Sequence, residues 1–295
     1  MHVDEIHIDS RAVSRLIREQ FPQLSHLHVT AVPSTGTDNA MFRLGHRLVV
    51  RLPRIASAVL QVNMEQWWLP LLAPHLPLQV PKPIAVGVPS AGYPWAWSVY
   101  NWLDGDTLSR SNLRNPVDDA TALAQFVHDL QQLDATGGPV PGDHNSRRGA
   151  PLTERDPIVR KCIATLNGQI DSGAATAEWE AALAAPSYSR SPVWIHGDLQ
   201  PGNLLAVDGR LSAVIDFGCL GIGDPACDLQ VAWNLFSGSA RAKFRSELVV
   251  DDATWARGRG WALSVALIAL PYYEVSNPVI AQQSRDTISE VLSTQ

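Results

Sequence analysis

The feature that most restricts this chain is the order of polar residues between positions 195 and 218, IHGDLQPGNLLAVDGRLSAVIDFG. Short apolar runs alternate with loops. PVWIHGD, NLLAV and LSAVIDFG read as three short strands, with Asp208-Gly209 turning the last two into a hairpin. That hairpin folds the chain back on itself and is expected to bring Asn203 and Asp216 together. Asp198, Asn203 and Asp216 thus offer carboxylate and amide oxygens at loop positions fixed by short strands. A lone aspartate beside glycine is ordinary, because such dipeptides make turns. Three matched positions in order, each in a strand–loop context, are not explained that way.

The spacing has a chemical meaning. Phosphoryl transfer needs an acceptor hydroxyl in line with the γ-phosphate, and Mg²⁺ to neutralise the phosphate oxygens. One carboxylate must face the hydroxyl without being consumed by the metal, and Asp198 is read as that base. Carboxylate and amide oxygens are the hard ligands Mg²⁺ prefers, and Asn203 and Asp216 are read as its donors. Protein kinases use H-R-D, an asparagine five residues after the aspartate, and then D-F-G. Here Asn203 lies five residues after Asp198, and Asp216-Phe217-Gly218 follows. His196 is expected to hold the loop by hydrogen bonding. Asp224-Pro225 opens the next helix too soon after Gly218 for a peptide-docking activation segment, so a small-molecule acceptor is expected.

HGDLQPGNLL, VIDFG and GDPACDL (223–229) resemble the signature of the aminoglycoside phosphotransferase family, and the likeness runs over roughly residues 27–275. The resemblance implies an α+β, bilobal, protein-kinase-like fold, with a small sheet-and-helix N-lobe and a larger, mainly helical C-lobe. It implies a small-molecule kinase with a catalytic aspartate at Asp198 and Mg²⁺ at Asn203 and Asp216. GTDNAMFRLGHRLVVRLPR is similar to the family's nucleotide loop and following strand, in the style of members that include macrolide phosphotransferases. On that likeness Ser34, Gly36, Thr37 and Asn39 are expected near phosphate, as backbone N–H groups in a loop of small residues. The implied reaction moves the γ-phosphate of ATP or GTP to a hydroxyl, with an aminoglycoside or macrolide antibiotic as acceptor. The alternatives are a metabolic small-molecule kinase on the same fold, or a non-catalytic nucleotide-binding regulator.

The strand RLVVRL carries Arg51 where such a site usually has a lysine. Only Lys82, Lys161 and Lys243 occur in the chain, so no N-lobe strand lysine can take the role. Arg51 is read as the phosphate clamp, steadied by Glu65 from a helix expected over 55–69, with Pro70 and Pro74 breaking or restarting it; Arg54 is a weaker substitute. WSVYNWLDG (97–105) is read as the hinge, where Tyr100, Asn101 and Trp102 would meet the purine base chiefly through main chain.

The rest of the pattern places the lobes at 1–102 and 103–295. A helix is expected over 10–21 with Ser10 as N-cap, and strands over 26–32, 39–44 and 47–52. Leu123, Phe126, Val127, Leu130 and Leu133 mark the apolar face of a helix, and 137–151 reads as a long loop. Asp228 is expected to brace the catalytic loop. Asp156, Glu178, Glu180, Asp251, Asp252 and Glu274 are the C-lobe carboxylates available to a cationic acceptor, and most of the ten tryptophans are expected in the core. A net charge of −6 and the absence of a Lys/Arg cluster with interleaved aromatics argue against nucleic acid. The apolar run 262–271 is too short to cross a bilayer, and the polar N-terminus does not read as a signal peptide. Three cysteines without metal or disulfide spacing point to a cytoplasmic setting.

Overall fold

Val13, Leu16 and Ile17 recur at helical spacing and are buried on one side of helix α1 (Ser10–Gln20). The computed structural model describes residues 5–33 and 38–293. Asp9, rather than Ser10, caps α1, its carboxylate accepting from the Ala12 N–H at 2.7 Å. The carboxylate reaches the free N–H groups from one residue outside the helix.

The chain divides into two compact units. One comprises Met1–Asp104 with Ala213–Gly218, the other Gly105–Ser212 with Cys219–Gln295. The first holds β1 (Val29–Ala31), β2 (Asn39–Leu44), β3 (Leu48–Pro53), α2 (Val59–Leu72), β4 (Pro83–Gly87) and β5 (Trp97–Asn101). Its antiparallel sheet runs β1-β2-β3-β5-β4. Side chains alternate across β3. Val50 and Leu52 join Phe42, Leu44, Trp97 and Val99 in a core closed by α1. Arg51 points from the opposite face to α2.

Pro70 does not break α2, which runs through it to Leu72. The proline falls near the C-terminal end, so the lost bond to the Gln66 carbonyl costs the helix little of its length.

The second unit holds β6 (Asp106–Thr107), α3 (Pro116–Gln132), α4 (Asp156–Thr165), α5 (Ser172–Ala184), β7 (Val193–Ile195), β8 (Leu204–Val207), β9 (Arg210–Val214), β10 (Gly221–Gly223), α6 (Val231–Asn234), α7 (Gly238–Leu248), α8 (Asp252–Tyr273) and α9 (Pro278–Ser293). Leu123, Phe126, Val127 and Leu130 are fully buried along α3. The apolar stretch at 262–271 lies within α8, which packs against α4, α5 and α9. Among the described residues no helix is long and apolar enough to cross a membrane. Trp97, Trp179, Trp194, Trp233 and Trp261 are fully buried, whereas Trp67 is exposed. β8 and β9 form the hairpin read from the sequence, with Asp208 (φ 52°) and Gly209 (φ 76°) both left-handed at its turn. The end of β9 carries the chain into the first unit.

Candidate active site

Strand β7 delivers His196-Gly197-Asp198 as it leaves its pairing with β10. Burial then fixes the loop. Asp228, fully buried, accepts from the His196 N–H at 2.7 Å and the Gly197 N–H at 2.8 Å. Burial pushes the Asp228 carboxyl above its usual range, while His196 and the two N–H groups act against the shift. His196, also fully buried, accepts at Nδ1 from the Asp198 N–H at 3.2 Å. It therefore serves the loop's own backbone, as the sequence implied. Gly197 has φ +82°, and a Cβ there would stand 2.4 Å from the Cys219 carbonyl oxygen. Only glycine meets both demands.

The Asp198 side chain that this loop presents is 21% exposed. Its Oδ2 accepts from Gln200 Nε2 at 2.9 Å and Asn203 Nδ2 at 3.1 Å. Its Oδ1 accepts from Arg148 Nη2 at 3.3 Å. Asn203 Nδ2 also donates to the Asp198 carbonyl at 2.9 Å, which turns the amide oxygen away from the carboxylate. Arg148 was not singled out in the sequence, because it lies in a Gly- and Pro-rich stretch without a motif. Two successive left-handed residues, Ser146 (φ 52°) and Arg147 (φ 56°), turn the chain into it. Arg148 is 9% exposed. Burial acts to lower its guanidinium, but Asp198 and the Cys219 thiol hold it above the usual value.

In the first unit the central group is Arg51. Its Nη1 donates to Glu65 Oε1 at 2.5 Å, and its Nη2 to Asp216 Oδ1 at 2.8 Å and Gln61 Oε1 at 3.1 Å. With its amide oxygen turned inward, Asn39 accepts from Arg51 Nη2 at 3.0 Å and Nε at 3.2 Å. Tyr100 donates its hydroxyl to Glu65 Oε2. Burial opposes the charge on Arg51, yet Glu65 and then Asp216 outweigh it and raise its pKa above the ordinary arginine value. Glu65 is 1% exposed, so arginine and glutamate form a buried pair that satisfies both. Arg54, the weaker substitute, is tied instead to Glu5 at 2.8 Å. Asp216 follows β9 in a left-handed conformation, φ 62°, and its side chain is 47% exposed. Asparagine and aspartate visit this region more readily than other side chains.

The hinge residues take roles beyond those read from the sequence. The Asn101 N–H donates to the Lys82 carbonyl at 3.2 Å and the Trp102 N–H to the Arg47 carbonyl at 2.6 Å. Both amides are spent within the unit, and Tyr100 enters the Arg51–Glu65 network through its side chain. The Trp102 ring lies 4.3 Å beneath the Arg43 guanidinium, and its Nε1 donates to Asp104 at 2.8 Å. Ser34, Gly36 and Thr37 lie outside the described residues.

The donor chemistry fits Mg²⁺. The second carboxylate oxygen of Asp216 and the amide oxygen of Asn203 accept no hydrogen bond among the described residues, and both are hard donors. Among those residues no cluster of three or more His, Cys, Asp or Glu could hold an ion by itself. Magnesium commonly takes only one or two protein oxygens and completes its shell with water and substrate phosphate.

An antiparallel sheet with one crossing helix, a mainly helical second unit, and loops presenting Asp198, Asn203 and Asp216 define a protein-kinase-like fold. The model of the phosphotransferase enzyme family matches residues 29–261, and the chain belongs to that family. It is a phosphotransferase of the small-molecule kinase class. Among solved structures it is similar to the GDP complex of wild-type aminoglycoside 2'-phosphotransferase-IIIa (TM-score 0.77, 19% identity, 97% of this chain and 99% of the other). It is similar also to macrolide 2'-phosphotransferase MphH from Brachybacterium faecium (TM-score 0.62, 20% identity, 97% and 99%). These likenesses establish the fold. An aminoglycoside 3'-phosphotransferase from Escherichia coli is 44% identical over 56 residues, which is 19% of this chain and 21% of that protein. That match spans about a fifth of the curated relative's length.

Proposed function

We propose that this enzyme transfers the γ-phosphate of ATP or GTP to a hydroxyl of a small molecule, with Asp198 as the base. The observation that carries the proposal is the placement of Asp198. It is a partly exposed carboxylate fixed by Gln200, Asn203 and Arg148, on a loop whose backbone Asp228 holds from behind. A general base must be held within hydrogen-bond reach of the hydroxyl it serves, and three donors around Asp198 restrict its rotamer. The hydroxyl proton passes to Asp198 as the oxygen bonds to phosphorus, and the nucleoside diphosphate leaves.

Mg²⁺, when bound, neutralises phosphate oxygens, and Asn203 and Asp216 are its protein donors. Arg51 is oriented by Glu65, Gln61 and Asn39 to bind the nucleotide phosphates, which replace part of its contact with Asp216. Ser34, Gly36 and Thr37 belong to the phosphate loop, and the hinge of Tyr100, Asn101 and Trp102 borders the purine. With the amides of Asn101 and Trp102 already bonded, the next amide along the chain, that of Leu103, is assigned to the base. The three cysteines, Cys162, Cys219 and Cys227, present as thiols, and the need for nucleoside triphosphate fit a cytoplasmic enzyme.

Relatives named for aminoglycosides and macrolides make antibiotics the first acceptors to try. A second reading, a metabolic hydroxyl compound, is favoured by the six C-lobe carboxylates named from the sequence, each of which already has a partner. The test uses radiolabelled ATP and GTP with a panel of aminoglycosides, macrolides and hydroxylated metabolites. Labelled product is expected with the wild type. None is expected from Asp198→Ala, which should still bind nucleotide. Wild-type transfer by that variant would sink the assignment.

A further inference from the structure

The six C-lobe carboxylates read from the sequence as candidates for a polycationic acceptor already have partners. Asp156 accepts from Arg160 and from Trp179 Nε1, each at 2.8 Å, and Glu180 pairs with Arg160 at 3.3 Å. Glu178 pairs with Arg259 at 2.9 Å and Glu274 with Arg285 at 2.8 Å. Asp252 is bonded to Arg245, and Asp251 caps α8 through the Thr254 N–H at 2.6 Å. Exposed pairs are weak singly. A polycation needs several carboxylates at once, however, and each would first have to give up a partner.

Beside the base stand arginines. Arg148 contacts Asp198 and the Cys219 sulfur, while among the described residues its buried Nε and Nη1 meet no oxygen or nitrogen acceptor. Arg155 lies close by. The two guanidinium carbons stand 5.8 Å and 4.8 Å from the ring centre of the same buried indole, Trp261. Arg155 is anchored by Nε to Ser264 Oγ at 2.9 Å and by Nη1 to the Ser146 carbonyl at 3.4 Å. Its Nη2 meets no acceptor, and no carboxylate pairs with it among the described residues. The loop that carries Arg148 is pinned at Gly149 (φ +80°), where a Cβ would stand 2.7 Å from Ile195 Cδ1. Burial, and next the charge of Arg148, depress Arg155 to about 9, so a bound anion would relieve it.

Of the two arginines, Arg148 has Asp198 as its counter-charge and Arg155 has no paired carboxylate among the described residues, while Asp228 behind the loop is engaged by the His196 and Gly197 N–H groups. Arg148 loses that counter-charge when Asp198 takes up the hydroxyl proton. A negative group on the acceptor offsets both. We propose that the acceptor is a sugar-like hydroxy compound bearing a carboxylate, which pairs with Arg155 while its hydroxyl faces Asp198. This rests on the phosphotransfer reading above. The hydroxyl proton goes to Asp198, the new bond joins the hydroxyl oxygen to the γ-phosphorus, and the bridging P–O bond to the nucleoside diphosphate breaks.

Titration calorimetry on the full chain, with gluconate, glucose and kanamycin as probes, tests the acceptor class. Gluconate is expected to bind at least about tenfold more tightly than glucose, and kanamycin more weakly than either. Arg155→Gln, a partly exposed position that should leave folding intact, is expected to abolish the preference for gluconate, and Arg155→Lys to restore part of it. Arg148→Met should weaken gluconate binding in the same direction. Equal binding of gluconate and glucose, tighter binding of kanamycin, no binding of gluconate, or an undiminished preference in Arg155→Gln would each overturn the proposal. Failure of the phosphotransfer reading is distinguishable: Asp198→Ala would then keep wild-type transfer, whatever the binding order of the three probes.

Discussion

Arg51 shows how one substitution of type changes the physics of a site. A lysine would bring a single point charge, whereas the guanidinium bonds Glu65, Gln61, Asp216 and Asn39 together. Removing it strands Glu65, 1% exposed, with Tyr100 as its remaining partner. Arg51→Met is therefore expected to lose roughly 3–5 kcal/mol in denaturant unfolding, the range for breaking a buried ion pair. Arg51→Met/Glu65→Leu should recover much of that stability without recovering activity. In nucleotide kinetics Arg51→Ala should raise KM at least about tenfold, since a charge-assisted phosphate contact is worth about 1.4 kcal/mol or more. An unchanged KM would reduce Arg51 to a structural partner of Glu65.

At the scale of the element, the loop after β7 is held by one carboxylate behind it and one glycine within it. Asp228→Asn keeps the shape but has a single acceptor oxygen for two N–H groups. It is expected to lower kcat by one to two orders of magnitude, with a smaller effect on nucleotide KM, because the displaced group is the proposed base, Asp198. Gly197→Ala should be worse. It adds a left-handed strain of about 1–2 kcal/mol and a clash with the Cys219 carbonyl. Thermal unfolding and steady-state kinetics on the two variants would show whether loop position, rather than the loop's mere presence, sets the rate. Normal kcat in both would remove Asp228 and Gly197 from the catalytic apparatus.

Across the whole chain, segments far apart in sequence meet at single charges. Glu290 of α9 bonds Arg110, which follows β6, at 2.7 Å, and also Arg241 of α7. Burial pushes the Glu290 carboxyl up, but the two arginines outweigh it and hold it below the usual glutamate value. A carboxyl depressed on folding stabilises the native state fully above its unfolded value, about 4.3, and ceases to do so as pH falls through the folded value. The Tm difference between wild type and Glu290→Gln should thus be constant from about pH 6 to 8 and close as pH drops below about 4. A gap that persists unchanged into acid would show that ionisation of Glu290 contributes nothing.

Local pattern was enough for much of this protein. Alternation in β2 and β3, the apolar stripe of α3, the Asp208-Gly209 turn and the buried stretch within α8 follow from periodicities of 2 and 3.6 residues and from turn chemistry. So does the ordered set Asp198, Asn203 and Asp216, since strand ends and loops carry it locally. Other features needed partners distant in sequence. Pro70 looked like a helix breaker, yet α2 continues through it to Leu72. Asn101 and Trp102 looked like readers of a base, yet their amides are bonded to Lys82 and Arg47. Six carboxylates looked free for a cation, yet arginines and a helix cap take them. Arg148 and Arg155 had no motif at all, because their meaning lies in Asp198 and in the Trp261 indole that both approach. The sequence by itself determined the fold class and the chemistry of the phosphoryl group, which depend on short-range spacing. Only the tertiary structure decided which charges stand beside Asp198, because charge pairing depends on which side chains become neighbours when the chain closes.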